Sequence, residues 1–351
     1  MSESLNTNNL SWTTNLRVVA TISVIFLHVT SEILYQYGKI SNSIWWTGNI
    51  YDSVVRFCVP VFVMLTGVLL LAKKYELNDF LKKRFLRIIL PFLFWSLIYA
   101  LVSLNDKISA GNHEMSFFEI VKWLISQLKN GSSLHLWYIY MIIGIYLFIP
   151  IISKWIQNAT EKEILYFIFI WLFTLFINQP VLSKFRVNIN LTYFSGFIGY
   201  VVLGYYLSVK SFAISKLVIR IISLFLILTG VTITIFGTYF LSLQNNSFQE
   251  YFYNYTTLNV LIASIGVFMF FKNVEISNPL FIRIANFISQ YSYGVYLVHV
   301  LVLRFMGAME INYNFINPIF AIPLVTILCL LISISIIYIV NKLPLGKYIS
   351  G

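Results

Sequence analysis

Ten apolar runs, at about 16–36, 49–72, 86–104, 134–152, 163–178, 191–209, 217–240, 256–271, 289–308 and 317–340, recur along this chain with short polar or charged segments between them. A helix of about 20 apolar residues spans the hydrocarbon of a bilayer, and a soluble core has no use for so many in series. The charged fraction agrees: 11% here against roughly 25% in an ordinary globular domain, which excludes a soluble enzyme. A net charge of +11 would suit a nucleic-acid binder if the basic residues formed one face. They lie between apolar runs instead, so no nucleic-acid partner is expected. Cys58 and Cys329 both sit inside apolar runs and supply neither a disulfide framework nor a zinc ligand set. The expectation is an all-α polytopic integral membrane protein of about ten transmembrane helices, a single membrane domain over 1–351 in contact with the bilayer.

Charge sets the expected orientation, because Lys and Arg in short loops stay on the cytoplasmic side. With the N-terminus inside, sixteen of the 24 basic residues fall in inside segments and six in outside loops (Lys39, Lys107, Lys122, Lys129, Lys184 and Arg186), while Arg56 and Arg304 lie within runs. Both termini are therefore expected in the cytoplasm, with 1–15 a polar cytoplasmic segment and the cell membrane the location. The first run is broken by His28 and lacks an Ala-x-Ala-like cleavage site, so it is expected to be retained rather than removed as a signal peptide. Tyr and Trp near run ends, such as Trp45-Trp46 and Trp137-Tyr138, fit interfacial belts, with sugar-stacking platforms as the other reading.

Ionisable residues inside a span are costly unless they face a partner or a wet cavity. On the first run, Arg17 and His28 are eleven apart, within about 20° on a helical wheel, and Glu32 stands one turn beyond His28. An imidazole beside a carboxylate is the pairing that takes a proton from a hydroxyl, so His28 and Glu32 are the candidate catalytic pair, against a proton relay or a buried polar contact. His28 and Arg56 come out at matching depths, roughly 12 and 10 Å from one end of their runs. Asp52 and Arg56 have the spacing of a helical ion pair. His135 stands at the start of the fourth run and His299 near the middle of the ninth, with Arg304 placed to snorkel. His28-x-x-x-Glu32 supplies two metal ligands and no third, so no metal is expected. Arg84 and Arg87, three apart after Lys82-Lys83 and before Pro91, are spaced to hold a phosphate, or are ordinary positive-inside charge.

Arg17-x10-His28 on the first run, Arg84-x-x-Arg87 at the base of the third, and ten runs in all resemble membrane acyltransferase family 3 (acyltransferase-3). Arg56-Phe-Cys-Val-Pro60-Val-Phe62-Val-Met-Leu-Thr66-Gly67 is similar to the family's Arg-x-x-Val-Pro-x-Phe-Phe-x-x-Ser-Gly, departing at Val63 and Thr66. His135-Leu-Trp137-Tyr138 and Ser292-Tyr293-Gly-Val-Tyr296-Leu-Val-His299 are similar to two further family segments. Nearly the whole chain is covered, and within the family the chain most resembles the subgroup of enterobacterial common antigen O-acetyltransferase.

The resemblance implies transfer of an acyl group, usually acetyl from acetyl-CoA, to a sugar hydroxyl of a cell-surface polysaccharide or its lipid-linked precursor. No permanently bound cofactor is implied; acyl-CoA is the donor substrate. Arg17, Arg84 and Arg87 would bind CoA, His28 oriented by Glu32 would deprotonate the acceptor, and Arg56, His135 and His299 would polarise the thioester carbonyl or hold the sugar. Because the chain stops soon after the tenth run, transfer is expected from the membrane domain itself or with a separate partner, and a homo-oligomer or glycan-assembly partner is compatible with it. A polysaccharide exporter or flippase is the competing class, separable by acyl-CoA hydrolysis.

Overall fold

A computed structural model describes residues 11–109, 116–179 and 196–351. The described residues form helices α1 (Ser11–Leu34), α2 (Asn42–Val55), α3 (Cys58–Leu70), α4 (Leu77–Arg84), α5 (Leu90–Ser109), α6 (Phe117–Asn130), α7 (Trp137–Asn158), α8 (Glu161–Ile177), α9 (Ile198–Val209), α10 (Lys216–Asn245), α11 (Leu258–Lys272), α12 (Pro279–Ala308) and α13 (Pro318–Lys342). The described parts of all ten expected runs fall on helices, and none of the described residues is in a strand. Among the described residues, seven helical stretches are long and apolar enough to cross a membrane: α1, Asn42–Leu70, Leu77–Ser109, Leu134–Asn158, α10, Tyr251–Lys272 and α13. Of the other expected runs, α8 has 17 residues and α9 has 12, while α12 is long but carries Arg283, His299 and Arg304. Residues 1–10, Lys184, Arg186 and the start of the sixth run lie outside the described residues, and α1 already begins at Ser11, inside the polar stretch 1–15.

Two prolines shape the elements that carry the candidate arginines. Pro60 has no N–H for the Arg56 carbonyl, so the helix breaks at Arg56 and Phe57 and resumes with the Val61 N–H to Phe57 carbonyl bond of 3.0 Å. Pro91 likewise cannot pair the Arg87 carbonyl, and the backbone widens into a five-residue π-helix over Phe85–Ile89 between α4 and α5.

The chain gathers into two compact units. The first comprises Met1–Lys74, Ile151–Gln290 and Ile311–Ile327. Here α1 packs on α2 and α3, α3 on α9, and α10 on α11. Helices in lipid gain little from apolar contact with one another and associate through close packing at small residues. The α3–α9 crossing is such a place: a Cβ on Gly67 would strike the Val201 carbonyl, and one on Gly204 the Met64 backbone. Ser153 and Gln157 donate to the Leu71 and Lys73 carbonyls beyond the end of α3, meeting groups that have no intrahelical partner. At the start of α8, Thr160 and Glu163 form a capping box.

The second unit comprises Tyr75–Pro150, Tyr291–Glu310 and Leu328–Gly351. Polar side chains tie its helices by their backbones. Trp95 donates to the Ile349 carbonyl at 2.9 Å and Tyr293 to the Ile88 carbonyl at 2.8 Å. The Tyr99 hydroxyl donates to the Leu297 carbonyl at 3.0 Å and accepts the Leu301 N–H at 3.2 Å, groups that one turn of helix ordinarily pairs. Arg304 is ion-paired with Asp106, both side chains about half exposed.

Candidate functional site

In the first unit the polar residues of α1 lie along one unbroken helix. Arg17 and His28 are half-buried, about 16 Å apart along the axis at 1.5 Å per residue. The Arg17 guanidinium reaches the Ser289 hydroxyl at 3.4 Å. Glu32 is exposed and makes no hydrogen bond or ion pair among the described residues, so the structure does not join it to His28.

The buried carboxylate beside α1 is Asp52. It is 0% exposed, pairs with Arg56 Nε, and accepts the Thr30 hydroxyl at 2.9 Å. The expected helical ion pair therefore forms, and it forms at the break created by Pro60. Arg56, with 14% of its side chain exposed, also donates to the Tyr253 carbonyl at 3.4 Å and lies over the Tyr253 ring at 4.2 Å and the Tyr255 ring at 5.9 Å. Tyr253 in turn donates to Asn49 Oδ1 at 2.5 Å. A guanidinium held on one edge by a carboxylate and on one face by an aromatic ring has a fixed plane, which suits it to aim its remaining N–H groups. Thr30, Asn49, Tyr253 and Tyr255 were not among the candidate site residues: neutral hydroxyls and amides in or beside apolar runs carry no spacing signal.

In the second unit His135 and His299 come together, their rings 5.1 Å apart edge to face. His135 sits in the 3-10 turn Leu134–Leu136, ahead of α7, and is 3% exposed; His299 is 0% exposed. The Ser133 hydroxyl lies 2.9 Å from His135 Nδ1, and Tyr296 donates to the His135 carbonyl. His299 Nδ1 lies 2.7 Å from the Tyr296 carbonyl. A carbonyl only accepts, so His299 Nδ1 carries a proton, and Nε2 is the acceptor of the ring whenever it is neutral. Tyr99 and Tyr296 flank the pair, with ring centroids 5.1 and 5.7 Å from His135.

The basic cluster also lies in this unit. Arg84 is half-buried, its guanidinium over the Phe80 ring at 5.5 Å and the Tyr146 ring at 5.4 Å. Stacking of this kind uses the faces of the cation and leaves its in-plane N–H donors for a phosphate. Arg87, on the π-widened turn, is exposed, as are Lys82 and Lys83. No group of three or more metal-ligating side chains occurs among the described residues.

The profile of the acyltransferase domain family matches residues 10–338, a stretch that takes in every candidate residue above. The chain belongs to this family, acyltransferase-3, and is a multi-pass membrane member of it. A protein of Bacillus subtilis (strain 168) described as "Putative membrane-bound acyltransferase YfiQ" is 27% identical over 153 residues, which is 43% of this chain and 41% of that protein. The aligned part is thus well under half of either chain. No solved structure matches.

Proposed function

We propose that this protein is an O-acyltransferase of the cell membrane that moves an acetyl or other short acyl group from acyl-CoA to a sugar hydroxyl of a surface polysaccharide or its lipid-linked precursor. The subgroup resembling enterobacterial common antigen O-acetyltransferase is the proposed place within the family, with ten crossings and both ends in the cytoplasm. The observation that carries the reading is the family match over 10–338, on a chain whose first helix holds a half-buried histidine.

In this reading the acceptor oxygen attacks the thioester carbonyl carbon while His28 takes the hydroxyl proton. The C–S bond then breaks, the acyl group stays on the sugar oxygen, and the thiolate leaves as CoA, to which the proton passes. Arg17, Arg84 and Arg87 hold the phosphates of the donor. Arg56, His135 or His299 polarises the carbonyl or holds the sugar. Glu32 assists His28 only through a rearrangement that brings its exposed carboxylate to the ring.

The donor assignment has a direct test. Arg84→Gln with Arg87→Gln is expected to weaken acetyl-CoA binding at least tenfold while the protein still inserts and folds, because phosphate contacts by guanidinium are charge-assisted. Added salt is expected to weaken binding to the unaltered protein as well. Unchanged affinity in the double variant would make the cluster a topological signal only.

A further inference from the structure

Helix α6 lies between two expected spans and does not itself cross. Its 14 residues rise about 21 Å, short of the ~30 Å hydrocarbon thickness, and it carries Glu119, Lys122 and Lys129. Both ends are defined locally. Ser116 and Glu119 form a capping box at its start, and Gly131, with φ +93°, stops it.

α6 is anchored within its own unit at two points. The Lys107 ammonium of α5 lies over the Trp123 ring at 4.4 Å, and the Tyr140 hydroxyl of α7 donates to the Leu128 carbonyl at 2.7 Å. The first turns of α6, on the face turned away from Trp123, are apolar and exposed. Phe117 is 79% and Phe118 85% exposed, and Val121 and Ile125 are exposed beside them. At 100° per residue these four fall within a 100° arc, and Lys122 and Lys129 stand immediately beside it.

We propose that α6 is a membrane-surface helix: its Phe117, Phe118, Val121 and Ile125 face enters the boundary between headgroups and acyl chains, and Lys122 and Lys129 meet anionic lipid phosphates. Two features select lipid over a protein partner. The apolar arc is bordered along one edge by two cations, an amphipathic arrangement of helices that lie in the plane of the bilayer. It is also continuous in sequence with α5 and α7, whose Leu93, Leu97, Leu101, Leu147 and Phe148 are exposed along helices long enough to be lipid-facing. The inference does not depend on the chemistry proposed for the histidines.

Single cysteines at Phe118, Val121 and Ser126, nitroxide-labelled in the full chain with Cys58 and Cys329 replaced by Ala, in nanodiscs containing anionic lipid, test this by electron paramagnetic resonance. Collisions with oxygen are expected to dominate over those with a water-soluble nickel chelate at 118 and 121, and the reverse at 126. Lys122→Gln with Lys129→Gln is expected to raise nickel access at 121 at least twofold in anionic discs and leave it unchanged in zwitterionic ones. Equal nickel access at 121 and 126 would place the face in water and overturn the proposal. So would spin–spin broadening at 121 that disappears on dilution with unlabelled protein, which would mark a second copy as the occupant. Phe118→Cys alters a side chain with few neighbours, so the result at 118 stands even if the other variants fold poorly.

Discussion

His28→Ala is expected to lower acyl transfer about 10²- to 10⁴-fold, the range assigned to general acid–base assistance. Glu32→Gln is expected to cost less, because Glu32 is exposed and the structure does not join it to His28. The measurement is CoA release by purified, reconstituted protein at matched expression, with donor affinity determined alongside. A lost base leaves donor binding intact, whereas a misfolded first helix changes both. Activity above roughly a tenth of the unaltered rate in His28→Ala would make His28 a buried polar contact. The paired rings of His135 and His299 would then be the next place to look.

The second large effect concerns Asp52 and Arg56. Asp52→Ala leaves the Arg56 guanidinium without its carboxylate in a nearly closed site, and Arg56→Ala leaves a fully buried carboxylate with only the Thr30 hydroxyl. Breaking such a pair from one side costs about 3–5 kcal/mol, mostly from the charge left behind. Each single variant is therefore expected to lose stability on that scale in denaturant titrations of detergent-solubilised protein. The double Asp52→Ala, Arg56→Ala variant is expected to lose less than the sum, since neither charge remains. Additive losses would show that the pair is not coupled.

Much of the helical framework was legible in the sequence. Runs of twenty apolar residues have essentially one way to satisfy their backbones in lipid, and the described part of each of the ten falls on helix. The Asp52–Arg56 pair was equally legible, because i,i+4 spacing within one helix fixes the geometry. Glu32 shows the limit of that argument. A helical wheel places it near the His28 face, but exposure is decided by the neighbouring helices, and the carboxylate buried beside α1 comes from α2. The meeting of His135 with His299 was not legible either, since it joins a turn before α7 to the middle of α12 and no local spacing encodes the encounter. Helix α6 falls in a segment the sequence assigns to an outside loop, because 14 residues are too few to span.

The most direct measurement supplies purified, reconstituted protein with isotopically labelled acetyl-CoA and a cell-envelope glycan fraction, then follows free CoA and the mass of the glycan together. The expected result is protein-dependent release of CoA matched by labelled acetyl on sugar hydroxyls. Absence of thioester cleavage above the buffer rate, with the glycan carried unmodified across the membrane, would contradict an acyltransferase and favour an exporter.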